Sequence, residues 1–223
     1  MGSYKGRILE SMFEGMQLDI DGQEIWTQFV GFFNAQNLLA VYGAALLMGF
    51  DKMEVQLAVS KLKPVDGRFQ TIRSADGKTA IVDYAHTPDA LKNVIETINR
   101  IRMGNQQLIT VVGAGGDRDP MKRPEMAREA VVGSSKVILT SDNPRSEDPE
   151  AIIEDMMKGV EFKERYKVLS ILNRKEAIRT ACMVAASGDI ILVAGKGHET
   201  YQEIKGERKH FDDREVINEI FNA

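Results

Sequence analysis

The sequence predicts an α/β fold, a mostly parallel sheet with helices on both faces, preceded by a partial α/β segment. From Val65 onward, apolar runs of strand length alternate with stretches of helical period, joined by short loops. Several of those runs, "LITVV", "KVILT" and "IILVA" among them, are mostly apolar without alternation, as strands covered on both faces are. Composition agrees. Of 223 residues, 43% are hydrophobic and 28% charged, as in an ordinary globular protein of one large domain or two small ones.

Residues 1–64 open β-rich. "GMQLDIDGQEIWTQFVG" alternates apolar and polar residues around Asp21-Gly22, a hairpin signal. "NAQNLLAVYGAALLMGF" then carries apolar residues at helical spacing. "DKMEVQLAVSKLK" follows as a second helix, with Asp51 as its N-cap and Lys63-Pro64 as its stop. Two strands and two helices make a poor independent core at this size, so this part reads as the tail of a larger domain. Met1, Gly2 and Ser3 read as a cloning remnant and carry no fold argument.

In residues 65–223, "RFQTIRS" and "KTAIVDY" flank Ala75-Asp76-Gly77 as a second hairpin. "TPDALKNVIETINRI" is a helix with Thr87 as N-cap and Pro88 at its first position. The order then runs strand "QLITVVG", helix "PEMAREAVV", strand "KVILT", helix "PEAIIEDMMKGV", strand "YKVLSI", helix "RKEAIRTACMVAA" and strand "DIILVAG". "TYQEIKGERKHF" looks like a hairpin closing the sheet edge, and "DREVINEIFN" is the last helix.

Several classes are disfavoured. A net charge of −4 speaks against a broad nucleic-acid surface. No apolar run approaches a membrane span, and the start lacks the apolar core of a signal peptide. The single cysteine, Cys182, rules out an intramolecular disulfide and reads as a small core residue. These features point to the cytoplasm.

Ligands of open α/β sheets bind beyond the carboxyl ends of the strands. The loops expected at that edge are "DYAHTPD", "GAGGDRDPMKRP", "SDNPRSEDP" and "GKGHET". The glycines of the second allow free backbone N–H groups, and Arg118 offers a fork to an anion; a plain turn with Asp117, Arg118 and Asp119 pairing in solvent fits as well. Lys196, His198 and Glu199 crowd the fourth loop, but His86, His198 and His210 show no metal-ligand spacing. Thr87 and Pro88 are explained by capping, whereas Asp83, Tyr84 and His86 are not. Asn34 and Asn37 sit at a helix start, where one can be the cap or both can read a base edge. No G-x-x-x-x-G-K-[ST] phosphate loop occurs.

Taken together, "FNAQN", "GRF", "DYAHTPD", "GGDRD" with "KRP", "DNPR" and "GKGHETYQ" resemble, in that order, the Mur ligase family. These are ATP-dependent amide-bond ligases of peptidoglycan precursor synthesis. The resemblance runs from about Gly15 to the end and is nearest to the branch that adds meso-diaminopimelate to UDP-MurNAc-L-Ala-D-Glu. It implies that residues 1–64 are the tail of the central ATPase domain and 65–223 a complete Rossmann-like C-terminal domain.

By matching motif positions, the resemblance implies that the loop of Asp142, Asn143, Pro144 and Arg145 receives the distal end of diaminopimelate. Asn143 and Arg145 would hold its distal carboxylate, Arg118 another carboxylate, and Gly195 and Glu199 the distal amine. Asn34 and Asn37 would read adenine, Arg68 and Asp83 the adenosine end, with His86 beside them. ATP and Mg2+ are the implied cofactors, with the Mg2+ site mainly in the central-domain part that this chain lacks. The implied partners are the UDP-MurNAc-dipeptide and diaminopimelate, acting on a monomer that would be inactive as this fragment alone. Diaminopimelate differs from lysine by one carboxylate, which an arginine fork suits. The alternatives are a lysine-adding or folylpolyglutamate synthase-like ligase, or a non-catalytic Rossmann-like binding module. "DNPR" speaks against the first.

Overall fold

The structure, a computed structural model, describes residues 4–223; Met1, Gly2 and Ser3 lie outside the described residues. The chain forms two compact units, Met1–Val65 and Asp66–Ala223.

In the first unit, β1 (Gly6–Met12), β2 (Gly15–Ile20) and β3 (Gln23–Thr27) form an antiparallel sheet in that order. The β2–β3 hairpin closes on Asp21-Gly22, both at positive φ, as a tight two-residue turn requires. Met16, Leu18 and Ile20 of β2 pack on Leu38 and Tyr42 of α1 (Phe32–Leu47) and on Val55 and Val59 of α2 (Lys52–Lys61). Asp51 caps α2 as expected, accepting from the N–H groups of Met53 and Glu54. Two expectations change. β1 is an additional strand, mostly exposed and held by its pairing with β2. The N-cap of α1 is Gly31, so neither asparagine is the cap; the Asn34 amide instead donates back to the Val30 carbonyl at 2.7 Å.

The second unit is built on a six-stranded sheet. Its strands are β4 (Gln70–Arg73), β5 (Thr79–Asp83), β6 (Leu108–Val112), β7 (Lys136–Leu139), β8 (Val168–Ser170) and β9 (Ile190–Ala194). Their spatial order is β4-β5-β9-β6-β7-β8, with β4 antiparallel and all other pairings parallel. β5, β6 and β9 are buried throughout, which is why apolar residues dominate them without alternation, Thr79, Asp83 and Thr110 being the buried polar exceptions.

α6 (Arg174–Val184) and α7 (Asp213–Phe221) cover one face, where Ala177, Ile178, Ala181, Cys182, Val216 and Ile217 meet Val82, Val111 and Val193. Cys182 is thus the core residue expected, and burial pushes its thiol up to about 11. α3 (Pro88–Ile101), α4 (Lys122–Gly133) and α5 (Pro149–Met157) pack in sequence beside one another, α4 lying against β6 and β7. α4 begins two residues before the expected "PEMAREAVV".

β10 (Tyr201–Ile204) and β11 (Glu207–His210) form the expected hairpin, but it does not close the sheet edge. It is a separate two-stranded ribbon whose open side bridges Arg145 to Ile204. The strands were legible; their partner is a loop rather than β4 or β8.

Candidate functional site

Parallel pairing fixes where the four polar loops leave the sheet. Asp83 is in register with Ala194, Ala194 with Val112, and Val112 with Leu139. These are the last residues of β5, β9, β6 and β7, so their loops depart side by side at one edge.

The loops after β6 and β7 are cross-tied. Gly116 donates its N–H to the Asn143 carbonyl at 2.9 Å, and the Arg145 guanidinium donates to the Gly116 carbonyl at 2.6 Å. Asp117 accepts from the Ser146 hydroxyl, while its N–H donates to Glu147 at 2.6 Å. Glu147 accepts in turn from Arg123 of α4, which also reaches Asp155 of α5 at 2.9 Å. The solvent-pairing reading of "DRD" therefore gives way. Asp117 ties the two loops together and Asp119 accepts from Met121 N–H, while exposed Arg118 has no hydrogen bond or ion pair among the described residues. A side chain on Gly116 would overlap the Pro144 carbonyl at 1.9 Å, so the approach of the two backbones requires glycine.

Arg145 has φ 52, a left-handed conformation uncommon for a large residue. The β10 ribbon holds it there: Arg145 N–H donates to the Glu203 carbonyl at 3.0 Å and Lys205 N–H to the Arg145 carbonyl at 2.6 Å. Its guanidinium faces no carboxylate within ion-pair distance among the described residues. A Cβ on Gly115 would lie 3.0 Å from Arg145 Nη1 and 3.6 Å from Arg118 Cγ, so the two arginines flank the same backbone.

Asn143 and Glu199 meet across the two loops, Asn143 Nδ2 donating to Glu199 Oε2 at 2.8 Å. Gly195 has φ 117, and a Cβ there would fall 2.4 Å from the Asp142 carboxylate. Burial raises the Asp142 carboxyl above the usual carboxylate range, against the pull of Arg174 and Lys196. Tyr84, His86, Gly115, Asn143, Arg145 and Glu199 line a cavity of about 50 Å³, room for one end of a small ligand with the remainder in the open cleft. A larger hollow of about 780 Å³ lies in the first unit near Tyr4, Arg7 and Asp19, but no comparable convergence of polar loops surrounds it, so the sheet edge is the stronger candidate.

Beside this cavity stands a second polar corner. Asp83 is buried and accepts from Phe69 N–H at 2.7 Å; burial raises its carboxyl, with Phe69, Ala85 and Arg68 opposing. Arg68 stacks over the Tyr84 ring at 4.7 Å, and His86 and His198 lie against the same ring at 4.5 and 5.1 Å. His86 also places Nδ1 2.8 Å from the Tyr84 carbonyl. Arg68, Asp83 and His86 are thus together, and His86 also lines the cavity of Asn143, Arg145 and Glu199. Asn34 and Asn37 lie on α1 of the first unit.

The sequence reading passed over Arg174 and Asp213, which support the site from below. It had one available signal: Arg174 is the first residue of α6, where a cation opposes the helix dipole and needs a reason to be there.

Fold and site define an α/β domain with a charge-lined cleft at the carboxyl edge of its sheet. Residues 67–197 match the model of the Mur ligase glutamate ligase domain, more than half of the chain, and the chain belongs to the Mur ligase family. It is 60% identical over 222 residues to a UDP-N-acetylmuramoyl-L-alanyl-D-glutamate--2,6-diaminopimelate ligase of Bacteroides thetaiotaomicron, covering 100% of this chain and 46% of that protein. Its counterpart in Aquifex aeolicus is 43% identical, with 99% and 43% covered. A solved structure of a ligase of that name matches with a TM-score of 0.70 at 41% identity, covering 100% of this chain and 46% of the other. A folylpolyglutamate synthase of Thermotoga maritima, at 19% identity and a TM-score of 0.65, covers 86% of this chain and 43% of its own and shares the fold. The chain spans about half the length of the curated relatives it matches. No helix among the described residues is long and apolar enough to cross a membrane.

Proposed function

We propose that residues 65–223 are the amino-acid-accepting domain of an ATP-dependent ligase that joins meso-diaminopimelate to UDP-MurNAc-L-Ala-D-Glu, and that residues 1–64 are the tail of its central nucleotide domain. The observation that carries this reading is the pairing of opposite vacancies in one cleft. The Arg145 guanidinium has only a backbone carbonyl as partner, while Glu199 uses Oε2 internally. The distal end of diaminopimelate bears both a carboxylate and an ammonium. Arg145 and Asn143 Nδ2 take the first, Glu199 and the Gly195 carbonyl the second, and Arg118 the remaining carboxylate.

With that end anchored, the other amine is left to attack the D-glutamate γ-carboxylate. ATP supplies the activation of that carboxylate. This chain's contribution is positioning of the nucleophile, with Arg68, Asp83 and His86 of the second unit holding the adenosine end. Tyr84, stacked on Arg68, gives that corner a flat wall. The Mg2+ site is assigned to the remainder of the central domain. The work is cytoplasmic and done by a monomer.

Thermal unfolding of the chain with each amino acid tests the reading. meso-Diaminopimelate at a hundredfold excess over its dissociation constant should add about 2.7 kcal/mol to stability. L-Lysine should add far less, because the Arg145 pocket then stays unpaired. Equal protection by both would remove the specificity reading.

A further inference from the structure

Lys196 is fully buried, yet its charge is not consumed by a single partner. Its Nζ lies 3.1 Å from Asn143 Oδ1, 3.4 Å from Glu199 Oε2 and 3.8 Å from Asp142 Oδ1, with the Tyr201 ring at 5.5 Å. Asn143 Oδ1 also accepts Glu203 N–H at 2.9 Å. Two donors on that oxygen decide the amide's orientation and turn Nδ2 toward Glu199.

The charge balance is equally specific. Asp142 and Glu199 share the one ammonium, whereas the neighbouring Arg174 is matched by Asp213 at 2.8 Å. Beyond these, Arg145 and His86 border the cavity, and Arg208 stacks on the far partner, Tyr201. Two carboxylates this close, without a cation between them, do not both stay ionised in a buried setting. Lys196 lies between them and opposes the rise that burial gives the Asp142 carboxyl, and one ammonium set against two carboxylates leaves one negative charge, the complement of one ammonium.

We propose that Lys196 is a positioning residue for amino-acid selection. It sets one cation between Asp142 and Glu199 and pins the Asn143 amide, so that Glu199 is held in place to meet the ammonium of the incoming amino acid. This rests on the assignment of Glu199 to that ammonium.

The test is calorimetric titration of the chain with meso-diaminopimelate, using Lys196→Met, Asp142→Asn and the double variant. Asp142→Asn leaves the cluster with no net charge and should weaken binding by about tenfold, the equivalent of one pK unit of interaction. Adding Lys196→Met to Asp142→Asn restores the single negative charge and should bring most of that loss back, a coupling of opposite sign to ordinary damage.

A double variant that binds no better than Asp142→Asn overturns the proposal and leaves Lys196 a residue of the fold. If Lys196→Met alone does not fold, the comparison of Asp142→Asn with the double variant still decides, because removing both buried charges together is tolerated where removing one is not. If the unaltered chain takes up no meso-diaminopimelate, the amino-acid reading of the cleft falls, and this proposal with it.

Discussion

Arg174 and Asp213 meet side by side in the interior, Nε to Oδ1 and Nη2 to Oδ2 at 2.8 Å each, with neither side chain exposed. The same guanidinium donates to the Ala194 carbonyl at 3.0 Å and the Ser141 carbonyl at 3.5 Å. One side chain of α6 thus holds the roots of both the "SDNPR" and "GKGHE" loops.

Arg174→Met should destabilise the chain by about 3–5 kcal/mol, since it strands the Asp213 charge in the interior. Arg174→Met combined with Asp213→Leu should recover most of that loss, although the two carbonyls stay without their donor. Urea unfolding at neutral pH measures both. Losses that simply add would mean that the pair acts through its contacts to Ala194 and Ser141 rather than through charge.

Arg145→Ala should weaken meso-diaminopimelate binding by roughly 2–5 kcal/mol, at least about tenfold, because one partner of a charge-assisted pair is lost in a partly desolvated site. Arg145→Lys should recover part of it, an ammonium being unable to reproduce the planar fork. Lysine binding should hardly change. Titration of the chain with both amino acids checks this, and equal losses would recast Arg145 as a support for the β10 ribbon.

Gly116→Ala should leave the sheet intact and abolish the cleft. The added methyl would stand 1.9 Å from the Pro144 carbonyl, so the loop after β7 has to move away. The expected result is a circular dichroism spectrum like the original, with no measurable protection by meso-diaminopimelate. Retained protection would show that the loops separate without moving Arg145.

The Arg123 network predicts a pH signature. Hydrogen bonding to Arg123 holds the Glu147 carboxyl below its ordinary value; Asp155 is lowered by Lys158 first and then by Arg123. For carboxyls lowered in the folded state, stability is present above the unfolded value and lost as pH falls through the folded one. Arg123→Met should therefore cost about 1–3 kcal/mol at neutral pH. That deficit should shrink as pH drops below about 4, where unfolded carboxylates take up protons. Melting temperatures of both proteins from neutral to acid pH measure it. A gap that stays constant would assign the effect of Arg123 to packing.

The sequence was most legible where burial acts on both faces of a strand. β5, β6, β7 and β9 were readable because apolar residues dominate them without alternation, and their order in the chain already implied a shared loop edge. Asp51 and Thr87 were readable because capping is local chemistry. β1 was not, since its outward residues answer to solvent and only its pairing with β2 makes it a strand. The β10–β11 ribbon was found but misplaced, because a strand's own pattern does not name its partner. In the site, Asn143, Arg145, Gly195 and Glu199 gather as implied. Arg174 and Asp213 stand 39 positions apart, and nothing in either local pattern links them.

Because β9 runs between β5 and β6, the sheet has a gap at its centre until Ile190–Ala194 have been made. On the ribosome, β6, β7 and β8 can associate as they emerge, and the β4–β5 hairpin can form earlier still, but Ile190–Ala194 must arrive before the two parts are joined. The loop bearing Lys196 and Glu199 follows that strand directly, and Asp213 comes later yet to answer the charge of Arg174. A nascent chain therefore has no cleft to fill. Cleft and finished sheet come into being together, and a truncated product carries neither.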